Sequence, residues 1–105
     1  MKPEICIGTA QFGLDYGIIN SDGKVKEDEA KKILEFGSKN DINLIDTAQS
    51  YGEAEKVVGN FIKNNSNYKV ISKLPPQAKN NWKYNQKEIW QKNFDSTLKR
   101  LNITQ

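Results

Sequence analysis

Apolar positions along this chain alternate between short continuous runs and stripes at helical spacing. Ile5-Cys6-Ile7 is a short run closed by Gly8, the pattern of a buried strand. Glu27 to Lys39 then carries Ala30, Ile33, Leu34 and Gly37 on one helical face, with acids in its first turn and Asn40-Asp41 behind it. Those are the marks of an amphipathic helix with a defined stop. Ile42 to Asp46 repeats the strand pattern and ends on a carboxylate. Thr47 to Gly52 reads as a loop, and Ala54, Val57, Val58, Phe61 and Ile62 line one face of a second helix. After the turn cluster Asn64-Asn65-Ser66-Asn67, Lys69 to Ser72 predicts a third strand. Lys73-Leu74-Pro75-Pro76 ends it, because proline cannot extend a ladder. Asn85 and Glu88 have capping-box spacing, and Ile89, Trp90, Phe94, Leu98 and Leu101 form the stripe of a third helix.

Strand followed by helix, three times over, predicts a parallel sheet with helices packed on it. Nearly continuous apolar strands predict burial on both faces of that sheet. No linker or low-complexity block divides residues 1–105, which read as one domain. Hydrophobic residues make up 36% of the chain, enough for a modest core. No run approaches the ~18 apolar residues of a membrane span, and the start has no apolar signal core. A single Cys forms no internal disulfide, which points to a reduced, cytoplasmic setting.

The net charge of +3 is unevenly spread. Residues 73–105 carry seven basic and two acidic side chains, leaving the first 72 residues slightly acidic. Lys79, Lys83, Lys87, Lys92, Lys99 and Arg100, interleaved with Trp82, Tyr84 and Trp90, have the look of a nucleic-acid surface. A solvated basic face on an outer helix explains them as well. Almost all the basic residues are Lys, and Asn is abundant. AT-rich codons produce that usage, so the solvated face is favoured and no nucleic-acid partner is expected.

In parallel α/β folds ligands bind at the carboxyl ends of the strands. There the first strand runs into Gly8-Thr9-Ala10-Gln11-Phe12-Gly13, the second into Asp46-Thr47-Ala48-Gln49-Ser50-Tyr51-Gly52, and the third into Lys73. Asp46, Tyr51 and Lys73 would share one rim. A Tyr hydroxyl, with an ordinary pKa of ~10, is a poor acid at neutral pH unless a nearby cation favours the phenolate. A Lys supplies such a cation, and an Asp holds that Lys charged and oriented. The Tyr then gives its proton to a carbonyl oxygen as a hydride donor attacks the carbon. Each residue also has a plainer use, Tyr-Gly as a turn and Asp as a cap. The glycines after the first strand complete neither a P-loop nor a dinucleotide fingerprint. Cys6, flanked by Ile and with no His anywhere, reads as a small buried hydrophobe. No cluster has metal-ligand spacing.

Gly8-Thr9-Ala10-Gln11-Phe12-Gly13, Glu29-Ala30 and Ile45-Asp46-Thr47-Ala48-x-x-Tyr51-Gly52-x-Ala54-Glu55-x-x-x-Gly59 together resemble the start of an aldo-keto reductase. Val70-Ile71-Ser72-Lys73 and Ser96-x-x-x-Arg100-Leu101 extend the resemblance over essentially the whole chain. It implies a (β/α)8 TIM barrel and reduction of an aldehyde or ketone by NADPH or NADH. It assigns Tyr51 to general acid or base, Lys73 to lowering the Tyr pKa, and Asp46 to supporting the Lys. Gly8 and Thr9, with Asp46, match the segment at the nicotinamide end of the cofactor. Gly8 to Asn20 resembles bacterial members found with surface-polysaccharide or sugar-modification pathways, which implies a sugar-like substrate or a small aldehyde or ketone.

A complete barrel takes ~250 residues, so 105 residues match the first three of eight β/α units. The family's further catalytic residue, a His ending the fourth strand, has no counterpart, since the sequence contains no His. Much of the family's cofactor site also lies on later strands. The chain is therefore expected to be the N-terminal part of an aldo-keto reductase, inactive by itself. The competing expectation is a non-catalytic interaction module that keeps the early barrel units as scaffold. Its open sheet edges would associate with another copy or a partner.

Overall fold

A computed structural model describes residues 4–64, 67–76 and 86–104. The elements follow in the order β1 (Cys6–Gly8), α1 (Ala10–Gly13), α2 (Glu27–Lys39), β2 (Leu44–Asp46), α3 (Ala54–Ile62), β3 (Lys69–Ile71) and α4 (Gln86–Leu101). The strands form one parallel sheet in the order β1-β2-β3. This is the expected α/β arrangement of three successive β/α units. β2 and β3 are shorter than the segments predicted for them, β1 is shifted onto Gly8, and α1, a single turn inside the Gly-containing loop, has no periodicity to announce it. The capping-box residue Asn85, together with Lys79, Trp82, Lys83 and Tyr84, lies outside the described residues.

Cross-strand register sets which side chains are covered. Ile7, Ile45 and Val70 stand side by side on the face that the helices cover. Ala30 and Leu34 of α2, Ala54, Val58 and Phe61 of α3, and Leu101 of α4 complete the core with Ile45. Cys6, Leu44 and Lys69, then Gly8, Asp46 and Ile71, point to the opposite face and are exposed or half-buried. Burial on both faces is thus corrected: among the described residues, helices cover one face of this sheet. Cys6 is exposed for the same reason, not a buried hydrophobe. Ile5, ahead of β1, is 62% exposed.

Helix α2 begins on Glu27, Asp28 and Glu29, whose charges face the positive end of the helix dipole. It ends where Asp41 turns to φ 59°, with the Asn40 side-chain Nδ2 donating to the Phe36 carbonyl at 2.7 Å. Ile33 is more exposed than its spacing predicts. In α4 the expected stripe is covered only toward its C-terminal end. Leu101 is buried and Leu98 half-buried, while Ile89 and Phe94 are exposed. Lys87, Lys92 and Lys99 project from the same helix into solvent. Among the described residues no helix is long and apolar enough to cross a membrane.

Tyr68, just before β3, is a core residue that its polar surroundings in sequence conceal. Its hydroxyl donates to the Leu34 carbonyl, and its ring meets Phe61 edge-on at 6.0 Å. Burial pushes its phenol above the ordinary 10.0, partly offset by the Ser38 backbone amide. The folded chain therefore holds this proton more tightly than the unfolded chain does. Its contribution to stability is full below about pH 10 and is lost as pH rises through the folded value. Urea unfolding of the wild-type chain and of Tyr68→Phe should differ by about 1 kcal/mol at neutral pH. The difference should shrink steadily above about pH 10.

Candidate active site

The three strands end side by side, and the loops that leave them hold one another by backbone hydrogen bonds. Gly8, Asp46 and Ile71 stand in register. Past the strand ends, the Thr9 amide donates to the Asp46 carbonyl at 3.0 Å, the Thr47 amide to the Ile71 carbonyl at 2.8 Å, and the Gln49 amide to the Lys73 carbonyl at 3.1 Å. The Thr9 hydroxyl donates to the same Asp46 carbonyl at 3.0 Å. Thr9 is completely buried, so its side chain faces Asp46 rather than open space.

Asp46 and Tyr51, at the two ends of the loop that leaves β2, and Lys73, past the end of β3, are brought together. The Lys73 ammonium donates to both oxygens of Asp46 at 2.8 Å and lies 5.3 Å from the centroid of the Tyr51 ring, over its face. The Asp46 and Lys73 side chains are 38% and 46% exposed. Water screens a pair at that depth, which adds little to stability and leaves the ammonium free to act on what approaches it. Gly8 lies beside this group and is open above. A Cβ there would meet nothing within 4 Å.

Tyr51 is presented by a tight turn. Its amide donates to the Ala48 carbonyl at 3.2 Å, and the Ala54 amide donates to its carbonyl at 3.0 Å as α3 begins. The turn leans on Gly13 at the end of α1. A Cβ on Gly13 would lie 1.6 Å from the Tyr51 carbonyl oxygen, and one on Gly52, itself at φ 54°, would lie 2.4 Å from the Gly13 oxygen. The two glycines pack backbone against backbone, which only glycine permits. Gly13→Ala must displace the Tyr51 turn and should cost about 1–3 kcal/mol in urea unfolding. Gly8→Ala, which fills open space, should leave stability within about 0.5 kcal/mol.

Behind the turn lies a buried polar cluster that sequence reasoning did not assign. Glu55 is completely buried. Its Oε1 accepts from Ser72 Oγ at 2.6 Å and from Thr97 Oγ1 at 3.0 Å. Its Oε2 accepts from Arg100 Nε at 2.8 Å and Nη2 at 2.7 Å. The Gln49 amide group donates to Thr97 Oγ1 at 2.7 Å and to the Asn93 carbonyl. A carboxylate inside an apolar helical face, as Glu55 is between Ala54 and Val58, was the signal available in the sequence.

An apolar groove of about 210 Å³ runs past Lys73 along the free edge of β3, walled by Val70, Leu74, Phe94 and Leu98. A larger groove of about 570 Å³ lies between α2 and α3, with Glu27, Lys31, Glu35 and Asn60 on its walls. It includes none of Asp46, Tyr51 or Lys73 and has no part in this geometry. Among the described residues no three His, Cys, Asp or Glu side chains converge as metal ligands.

Known proteins share this fold. Two solved structures of Pseudomonas aeruginosa proteins assigned to the aldo-keto reductases superpose on 93% of the chain. One does so with a TM-score of 0.74 at 26% identity. The other, with a TM-score of 0.72 at 24% identity, shares the fold. The chain spans only 38% and 36% of their lengths, so its three β/α units correspond to part of a (β/α)8 barrel. No curated protein matches it. The sequence model of the Aldo/keto reductase family, however, matches residues 4–105; with a match of that extent, the chain belongs to the aldo/keto reductase family.

Proposed function

We propose that residues 1–105 form the N-terminal part of an aldo-keto reductase barrel and carry three of the groups that reduce an aldehyde or ketone to an alcohol. The observation that carries this reading is the Lys73 ammonium, held by both oxygens of Asp46 over the Tyr51 ring at the carboxyl ends of parallel strands. Tyr51 gives the proton of its hydroxyl to the carbonyl oxygen of the substrate. Lys73, paired with Asp46, places a positive charge beside the negative charge left on the Tyr51 oxygen, where it lowers the barrier electrostatically. A bound NADPH or NADH supplies the hydride to the carbonyl carbon. Gly8, open above and in register with Asp46, fits the flat nicotinamide end of such a cofactor. Thr9 supports that surface from behind by holding the Asp46 carbonyl. The resemblance of Gly8 to Asn20 to members of sugar-modification pathways supports a sugar-like substrate or a small aldehyde or ketone, and the single Cys supports a reduced, cytoplasmic setting.

The chain contains no His to serve as the family's further catalytic residue, and it alone should show negligible NADPH-dependent reduction. Joined in frame to the fourth to eighth β/α units of a family barrel, it should support NADPH oxidation that depends on an added aldehyde. Reduction by the chain alone, lost in Tyr51→Phe, would overturn the expectation of inactivity. A second reading, a non-catalytic module that associates with itself or a partner, draws on the free edges of β1 and β3 and on the exposed Ile71, Leu74 and Phe94. A defined oligomer of the chain, with no reduction by the joined barrel, would favour that module.

A further inference from the structure

The Glu55 carboxylate is held by Ser72, Thr97 and Arg100 rather than by Asp46, Tyr51 or Lys73, yet its hydrogen bonds reach the backbone on which Lys73 stands from two directions. Ser72, which donates to Glu55 Oε1, is the residue before Lys73. On the other side, Thr97 donates to the same oxygen and accepts from the Gln49 side chain, while the Gln49 amide donates to the Lys73 carbonyl. The contacts close a ring that runs from Lys73 through Ser72, Glu55, Thr97 and Gln49 back to Lys73. Gln49 also lies in the loop between Asp46 and Tyr51, so the ring couples all three site residues to one buried anion. Arg100, with two nitrogens on Oε2, holds that anion in place from α4. A plain tie between α3 and α4 would need only the Glu55–Arg100 pair. The Ser72 hydroxyl, on the loop that carries Lys73, and the Thr97 hydroxyl of α4, to which the Gln49 side chain donates, are additional, and both are directed at Oε1.

We propose that Glu55, acting through Ser72 and through Thr97 and Gln49, is the positioning residue that sets the Lys73 ammonium between the Asp46 carboxylate and the Tyr51 ring. Charged hydrogen bonds within a buried network are stronger and more directional than exposed ones. The network fixes the backbone at Lys73, and an exposed ion pair alone does not hold a flexible lysine in one place. The proposal rests on reading Asp46, Tyr51 and Lys73 as the reacting group, but its test does not require reduction.

The experiment follows the lysine ammonium groups of the ¹⁵N-lysine-labelled chain by NMR, with the Lys73 signal assigned by its loss in Lys73→Arg. The wild-type chain should give a Lys73 signal distinct from those of the exposed lysines. Ser72→Ala, which removes one hydroxyl link and keeps the Glu55–Arg100 pair, should move that signal onto the exposed group. Ser72→Thr, which keeps a hydroxyl, should restore it. Val57→Ala, a core truncation away from the ring, should lower stability without moving the signal. Thr97→Val cuts the ring at its other link and serves as the same arm should Ser72→Ala fail to fold. The proposal is overturned by a wild-type chain with no distinct Lys73 signal, by link variants that leave it in place, or by Val57→Ala moving it equally. Loss of reduction chemistry in the joined barrel, with the Lys73 signal behaving as described, would instead overturn the functional reading and leave the positioning intact.

Discussion

Tyr51→Phe should lower kcat for carbonyl reduction by about 100- to 10,000-fold in the barrel completed with the remaining β/α units. The substitution removes one oxygen and nothing else. The ring that lies under the Lys73 ammonium is retained, as is the backbone turn packed on Gly13. Stability should change little, because the Lys73–Asp46 pair does not depend on the hydroxyl. In the proposed function, what disappears is the proton that Tyr51 gives to the substrate oxygen as hydride reaches its carbon. A loss of that size corresponds to about 3–5 kcal/mol of transition-state stabilisation. It should fall on kcat and leave KM nearly unchanged, since the hydroxyl acts on charge that develops only during the reaction. Lys73→Met should lower kcat as well, with Asp46 left unpaired. Tyr51→Phe retaining more than about a tenth of the parent kcat would remove Tyr51 from the acid role.

The order of elements was legible because each β/α unit repeats the same contrast between a short apolar run and a longer helical stripe. The gathering of Asp46, Tyr51 and Lys73 followed from strand ends alone, since parallel strands deliver their exits to one rim. Other features needed the third dimension. Cys6 sits in an apolar run and yet is exposed, because burial of a strand depends on what covers each face. Phe94 and Ile89 belong to the helical stripe of α4, but the core reaches only its later turns, where Leu101 is buried. Tyr68 is hidden among Asn, Ser and Lys, and its place in the core is set by the Leu34 carbonyl that takes its proton donor. The ring through Glu55 joins residues up to 48 positions apart, and no local pattern encodes a contact of that kind.

Arg100→Ala should cost about 3 kcal/mol in urea unfolding, a large share of the ~5–15 kcal/mol that holds a domain of this size together. The reason lies in what the substitution leaves behind. The Glu55 side chain is 1% exposed, whereas that of Arg100 is 42% exposed. Removing the guanidinium therefore strands a buried carboxylate with only the hydroxyls of Ser72 and Thr97 as donors. Water entering the space left by the exposed part of Arg100 keeps the loss at the lower end of the ~3–5 kcal/mol range for breaking a buried pair. The helices cannot shift to relieve it. A Cβ on Gly59 of α3 would lie 2.0 Å from the Arg100 carbonyl oxygen, so α3 and α4 already meet at their backbones. The Asn102 side chain fixes the same crossing by donating to the Gly59 carbonyl at 3.0 Å. Glu55→Gln placed on top of Arg100→Ala keeps the shape and an acceptor while removing the charge, and should restore at least about 1 kcal/mol of the loss. The denaturation midpoint should move in both variants with the slope unchanged, since the surface exposed on unfolding is nearly the same. A cost below about 1 kcal/mol for Arg100→Ala, or no recovery with Glu55→Gln, would show that the buried charge is not what makes the loss large.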